Sequence, residues 1–508
     1  MDSDDTERSR SCHVVAVPFP GRGHVNPMMN FCELLVSRRD DILITFVVTE
    51  EWLGFIGSDN NPPRIRFGTI PNVIPSERVR ADDIPGFIEA VLTKMEGPFE
   101  RLLDGFELPV TTIVADTFLF WPVRIGNRRN IPVVSFWTMA ASVFSMFHHF
   151  DLLLQNGHHP IDISERGDER VDYIPGLSPT RIADFPALLH HKNPILPRTR
   201  EVLSWVPKAQ YLVLASVYEL EAQVIDTLKS IFSFPIYPIG PLIPYFKLGD
   251  RSSVATAADD LHYFQWLDSQ PCFSVLYISF GSVASVSSAQ MDEIAAGLRD
   301  SCVRFFWVAR GATSRLREVC GETGLVVPWC KQLEVLSHSS IGGFWTHCGW
   351  NSTVEGLFSG LHFLTFPVGL DQVSNSKAIV EDWKTGWRVK RNQPAGAETL
   401  VTREETVGIV KRFMDSESIE VKEMKRRARK LQEICRQATG RAPGITVSHR
   451  KTWIPNTLDS PDHATWWPCR SHGIGHVNPM MNFCKLPASR RNDILITFVV
   501  TEKLFGAG

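Results

Sequence analysis

The chain has 508 residues, 44% of them apolar and 21% charged, with a formal net charge of -3. That length exceeds what one core comfortably supports, so two domains of roughly 200 residues each are expected, and the near-neutral balance leaves no basic footprint for nucleic acid. The acidic start MDSDDTERSR lacks the basic and apolar regions of a secretory signal, and no apolar run reaches the roughly 18 residues of a membrane span. The ten cysteines form no CxxC pair, so neither a disulfide frame nor a zinc site is expected, and a cytoplasmic chain with reduced thiols is.

Residues 1–12 are expected to be a disordered N-terminus. Short β-branched runs then alternate with amphipathic stretches: HVVAVPF (13–19), ILITFVV (42–48) and TTIVAD (111–116) read as strands, and NPMMNFCELLVSRR (26–39) as a helix. This is the α/β pattern of a parallel sheet, and a first domain is expected over 13–245. Within IGPLIPYFKLGDRSSVATAADD (239–260) prolines give way to Gly, Ser, Ala and Asp, which places an exposed linker at 246–262. The pattern resumes with SVLYISFGS (274–282), RFFWVAR (304–310), SIGGFWTH (340–347) and LHFLTFP (361–367). The mixed charge and spacing of VKEMKRRARKLQEICRQA (421–438) predict a closing helix, so a second, similar domain spans 263–438.

A tail over 439–508 breaks the pattern. In it GIGHVNPMMNFCKLPASRRNDILITFVVTE (473–502) repeats GRGHVNPMMNFCELLVSRRDDILITFVVTE (21–50) at all but five positions. The copy holds one strand and one helix, too little to bury a core, and Pro487 stands where Leu35 does, opposing the helix. It is expected to be a dispensable partial duplicate.

The stretch IGGFWTHCGWNSTVEGLFSG (341–360) joins an apolar strand, a sharp turn at His347-Cys348-Gly349 and a polar helix start at Asn351-Ser352-Thr353. Free N–H groups and the partial positive charge of a helix N-terminus suit such a junction to a diphosphate. Read alone, it could equally be a capped helix beside a core histidine.

The forty-four residues Trp329 to Gln372, WCKQLEVLSHSSIGGFWTHCGWNSTVEGLFSGLHFLTFPVGLDQ, closely resemble the signature of plant UDP-dependent glycosyltransferases, in the subgroup whose signature begins Trp-Cys-x-Gln. The resemblance implies that Trp329 stacks on uracil, Cys330 holds the base through its backbone, and Gln332 and Glu355 meet the ribose. Their chemistry suits these parts, since an indole offers a flat apolar face and a carboxylate can accept from both ribose hydroxyls. By the same resemblance His347, Asn351, Ser352 and Ser282 hold the diphosphate, Trp350 lies beside the sugar, and Asp371 and Gln372 bond its hydroxyls. Lys331, His362 and Leu370 depart from the usual pattern.

In the first half GRGHVNP places His24 just after the first strand, at the carboxyl ends of the strands, where open α/β sheets bind ligands. Histidine is suited to take a proton near neutral pH, and the family's catalytic base stands in the same PxxGHxxP context. Asp116, ending TTIVAD, is the candidate carboxylate partner, or else a helix cap. Thr138 in SFWTMAAS resembles a residue that touches the donor sugar.

The resemblance, over residues 13 to about 436, implies an α/β GT-B fold, two Rossmann-like domains facing a cleft, with the acceptor in the first and UDP-sugar in the second. The implied activity is inverting transfer of glucose from UDP-glucose, a co-substrate, to a hydroxyl of a small lipophilic acceptor bound by loops near 71–90 and 175–200. Fixed dipoles and donors would serve in place of a metal, no cofactor is expected, and a monomer is. The readings set against this are a catalytically impaired sugar-nucleotide-binding protein and a UDP-sugar epimerase on the same fold.

Overall fold

Two parallel sheets, one from each half, carry the alternating pattern. The computed structural model describes residues 12–57, 63–80, 82–159, 163–190, 193–248, 258–281, 286–389 and 400–439. Residues 1–11, the middle of the expected linker, Ser282 and the tail from 440 with its repeat lie outside the described residues.

The first half contributes β1 (Cys12–Val17), β2 (Ile42–Thr49), β3 (Ile65–Ile70), β4 (Thr112–Asp116) and β5 (Val133–Trp137). A two-residue antiparallel pair, β6 (Arg170–Val171) with β7 (Thr180–Arg181), stands apart, and β8 (Tyr211–Leu214) and β9 (Ile236–Pro238) complete the main sheet in the order β3-β2-β1-β4-β5-β8-β9. The second half supplies β10 (Val275–Ser279), β11 (Arg304–Val308), β12 (Gly324–Val327), β13 (Ile341–Thr346), β14 (Phe363–Thr365) and β15 (Gly386–Arg388), in the order β12-β11-β10-β13-β14-β15. Every pairing in both large sheets is parallel. Helices cover both faces, so the central strands are largely apolar; Val14, Val15, Ala16 and Val17 are all fully buried.

Strand order reverses between β1 and β4 in one sheet and between β10 and β13 in the other. At such a switch point the following loops diverge to opposite faces and leave a crevice at the carboxyl ends of the strands. The elements that follow β1, β4, β10 and β13 therefore decide what the protein can hold.

Three details differ from the sequence pattern. The first helix runs from Arg22 to Arg38, so His24 lies in its opening turn and not in a loop before it. The helix Ala258–Asp268 begins inside the stretch expected to be linker. Between 71 and 90, the residues from Ile84 onward belong to the helix Ile84–Lys94. The closing helix, Ile419–Ala438, buries Val421, Met424, Ala428, Cys435 and Ala438 along one face and touches the first half at Tyr218–Leu220. Among the described residues no helix is long and apolar enough to cross a membrane.

Candidate active site

At the first switch point His24 Nδ1 lies 2.8 Å from Asp116 Oδ2. Asp116 is buried and His24 is partly open to the cleft. The carboxylate can only accept, so Nδ1 carries the hydrogen and Nε2 is left with a lone pair. The other Asp116 oxygen accepts the Phe118 N–H at 2.9 Å. Asp116 therefore both ties its own turn and orients His24. Thr138 Oγ1 stands 3.1 Å from the same His24 nitrogen, and the rings of Phe19 and Phe118 flank the imidazole.

At the second switch point β13 ends in a turn in which Cys348 takes φ +67°, a left-handed conformation uncommon for a residue with a side chain. Its N–H donates to Thr346 Oγ1 at 3.0 Å, which holds the turn. His347 packs between Gly281 and Gly349, where a Cβ on either would lie 2.6 Å from its Nε2; neither position has room for a side chain. Burial pushes the His347 imidazole down to about 4. It is thus neutral near pH 7, with Nδ1 3.3 Å from the Ser279 carbonyl.

The helix Trp350–Phe358 begins at this turn with no side-chain cap and no acidic residue in its first turn. Its start is joined to the first half twice: Trp350 Nε1 donates to the Ala215 carbonyl at 2.8 Å, and Asn351 Nδ2 to the Gly23 carbonyl at 3.1 Å. An N-terminal dipole is therefore held beside His24.

Further along the cleft Trp329 is 50% exposed, an open indole face of the kind that a flat base can cover. Gln332 donates to Ser352 Oγ at 2.9 Å and to Glu355 Oε2 at 2.5 Å, and accepts from the buried Tyr277 hydroxyl at 3.1 Å. Burial raises the Glu355 carboxyl to about 7, with the Gln332 bond opposing the rise. Tyr277 Oη also lies 3.4 Å from Cys330 Sγ. Gln332 thus holds Glu355 and Ser352 in place besides facing the cleft itself.

Gln372 Oε1 accepts the backbone N–H groups of Val368 and Gly369 at 2.8 and 3.1 Å, which leaves its NH2 group as the donor for a ligand. Asn375, buried, donates to Asp371 Oδ2 at 2.8 Å and to the Cys348 carbonyl at 2.9 Å, tying the 371–372 pair to the turn after β13. Burial raises the Asp371 carboxyl, opposed first by the Asn375 bond.

One cavity of about 1490 Å³ joins these groups. His24, Thr138, Trp329, Cys330, Gln332, His347, Trp350, Asn351, Ser352, Glu355, Asp371 and Gln372 all line it. Asp116 stands behind His24, and Ser282 lies outside the described residues. The cavity continues into an apolar recess of the first half with Phe87, Ile88, Leu92, Met139, Phe147 and Ile195. Sequence reasoning missed Tyr277 and Asn375. Tyr277 sits in an apolar strand with no mark of a polar task; Asn375 lies three residues past the signature, and only its burial shows its role.

Two Rossmann-like units whose switch points face one cleft, with helix N-termini and a histidine–aspartate pair meeting there, define a GT-B glycosyltransferase. The chain matches the family described as UDP-glucoronosyl and UDP-glucosyl transferase over residues 219–398. It is 53% identical over 427 residues to UDP-glycosyltransferase 87A1 of Arabidopsis thaliana, covering 84% of this chain and 96% of that protein. It is 32% identical over 494 residues to 7-deoxyloganetin glucosyltransferase of Catharanthus roseus, covering 90% and 99%. The crystal structure of Medicago truncatula UGT71G1 complexed with UDP-glucose aligns with a TM-score of 0.71 at 26% identity, covering 86% of this chain and 95% of that one. The chain belongs to the plant family 1 UDP-glycosyltransferases.

Proposed function

We propose that this glycosyltransferase moves glucose from UDP-glucose to a hydroxyl of a small lipophilic acceptor, inverting the anomeric carbon. The observation that carries the reading is His24: its Nδ1 faces Asp116 at 2.8 Å, its Nε2 is left as the base, and the Asn351–Gly23 bond sets it against the donor-side helix. His24 Nε2 takes the acceptor proton as the oxygen attacks the anomeric carbon from the first half. The bond from that carbon to the diphosphate breaks on the opposite face, and the Asp116 carboxylate faces the charge that the imidazole gains.

In this reading uracil covers Trp329 and bonds the Cys330 backbone, while Glu355, backed by Gln332, accepts from the ribose. The diphosphate lies at the first turn of the helix Trp350–Phe358, with His347, Asn351 and Ser352 around it, where fixed dipoles stabilise the leaving charge. Trp350, Thr138, Asp371 and the NH2 group of Gln372 surround the sugar. Glucose is supported by the donor in the Medicago complex and by the name of the Catharanthus relative. The apolar recess beside His24 supports a lipophilic acceptor.

The test is a panel of phenols and lipophilic alcohols incubated with UDP-glucose, read by mass, with the product anomer assigned by NMR. A β-glucoside is expected, with UDP-galactose a poorer donor. Equal use of UDP-galactose, an α-linked product, or sugar conversion without any acceptor would overturn the reading.

A further inference from the structure

The cleft wall on the acceptor side contains Pro186 and Leu188, and the sugar wall contains Leu370, Asp371 and Gln372. Both walls belong to one bonded unit, although the first is encoded in the first half and the second in the other. Asp184 is completely buried. Its Oδ2 accepts from Arg181 at 2.9 Å, and its Oδ1 from Arg388 Nη1, in the second half, at 2.7 Å. Its backbone carbonyl accepts from Ser374 Oγ at 2.7 Å. Three residues on, the Ala187 N–H donates to the Leu370 carbonyl at 3.0 Å, and Leu370 itself stands at φ +55°. The chain just before it is fastened to the second half as well, by Ser178 to Asp382 at 2.9 Å and by Arg170 to Glu381 at 3.2 Å.

A buried carboxylate shared by two guanidiniums is a costly arrangement unless every partner is in place. Here one of the partners comes from the opposite half, so Asp184 is fully matched only when the halves are together. We propose that Asp184 is a positioning residue, which through Arg388 fixes the segment 182–189 to the donor-binding half, so that the acceptor pocket is completed from the donor side of the cleft. Acceptor affinity then depends on the seating of this segment, whereas the nucleotide groups at Trp329, Gln332 and Glu355 lie on other elements and do not. The inference rests on the acceptor and donor assignment proposed above.

Two readouts test it, one independent of catalysis. Asp184→Asn and Arg388→Gln are each expected to raise the acceptor KM about tenfold or more, as a misplaced wall does, with kcat at saturating acceptor and UDP affinity near wild type. The double variant is expected to be little worse than either single one, because both remove the same link. Ala187→Pro leaves the charges alone and deletes only the donor to Leu370. Pro186, at ψ 137°, already has the conformation required before a proline, and the same rise in acceptor KM is expected. In hydrogen exchange, Arg388→Gln is expected to deprotect the Ala187 amide while β4 and β5 keep their protection. An unchanged acceptor KM in variants that merely melt lower, or equal losses of acceptor and UDP affinity, would overturn the inference. If the wild-type protein glycosylates nothing, the functional reading falls, and the exchange of Ala187 in Arg388→Gln still decides whether the segment is fixed by the second half.

Discussion

Asn351 and Gly23 meet across the cleft, the side-chain amide of one donating to the backbone carbonyl of the other at 3.1 Å. The carbonyl is available because Pro27, four residues on in the same helix, has no N–H to donate back to it. A proline that weakens the helix thereby opens an acceptor for the opposite half, next to the residue proposed as the base.

Replacing that proline should close the acceptor again. Pro27→Ala restores a helical donor to Gly23 and is expected to stabilise the helix while weakening the link to Asn351. Transfer should fall by about three- to tenfold, the worth of one hydrogen bond, with a melting temperature equal or higher. Asn351→Asp should be more damaging than Asn351→Ala, since a carboxylate can neither donate to Gly23 nor sit beside a diphosphate. Steady-state kinetics with thermal melts check both; Asn351→Asp at wild-type activity would remove Asn351 from the donor site.

His24→Ala is expected to abolish transfer and leave UDP affinity nearly intact, because the nucleotide groups lie in the other half. Asp116→Asn should also be severe. An amide in place of the carboxylate oxygen presents a donor to Nδ1, which drives the hydrogen to Nε2 and removes the base; a loss of about 10²- to 10⁴-fold in kcat is expected. Thr138→Val, which leaves the tautomer unchanged, should cost less. Isothermal titration with UDP beside single-turnover rates distinguishes these roles, and a parallel loss of UDP binding in His24→Ala would contradict them.

Much of this could be read from the chain because the relevant signals are local. The runs at 13–19, 42–48, 111–116, 274–282, 304–310, 340–347 and 361–367 are short, apolar and β-branched or aromatic, and each overlaps a strand. The site residues of the second half fall largely within one signature, so their spacing carries the information. Contacts between distant segments could not be read. Asn351 gives no sign in sequence that it reaches Gly23, and Asp184 looks like any loop acid until Arg388 is seen beside it. His362, a departure from the family pattern, is simply buried, stacked on Phe413 and 3.3 Å from its carbonyl. Leu370, another departure, lines the cavity beside Asp371 with an exposed side chain, while its carbonyl takes the Ala187 N–H, a contact its sequence gives no sign of.

Tyr277 provides a check on a residue that only the fold reveals. Its hydroxyl donates to Gln332 Oε1 at 3.1 Å, and Gln332 in turn holds Ser352 and Glu355. Tyr277→Phe keeps the buried ring and leaves that oxygen without its donor, at a cost of about 1 kcal/mol. UDP affinity should fall about three- to tenfold, with acceptor KM unchanged. An unaltered UDP affinity would show that Gln332 needs no support from below.

Glu355 should make donor binding depend on pH. Burial raises its carboxyl to about 7, so the free protein binds a proton there as the pH falls past neutrality. The ionised carboxylate accepts from both ribose hydroxyls more strongly than the protonated acid does, so binding lowers the pKa and releases that proton. Affinity is therefore full above about pH 7 and declines below it, by up to about tenfold per pH unit until the bound-state pKa is reached. UDP-glucose is the ligand to use, because both its phosphates are esterified and do not titrate in this range. His347 works in the opposite sense. It starts near 4 and gains a proton more readily beside a diphosphate, which favours binding at lower pH. Glu355→Gln separates the two, since it should bind more weakly at about pH 8 and show a profile that is flat or rises as the pH falls. Calorimetry without acceptor, from about pH 8 to about pH 6, supplies both curves, and the difference between them belongs to Glu355. Wild type and Glu355→Gln with the same slope would mean that Glu355 is not the carboxylate that meets the ribose.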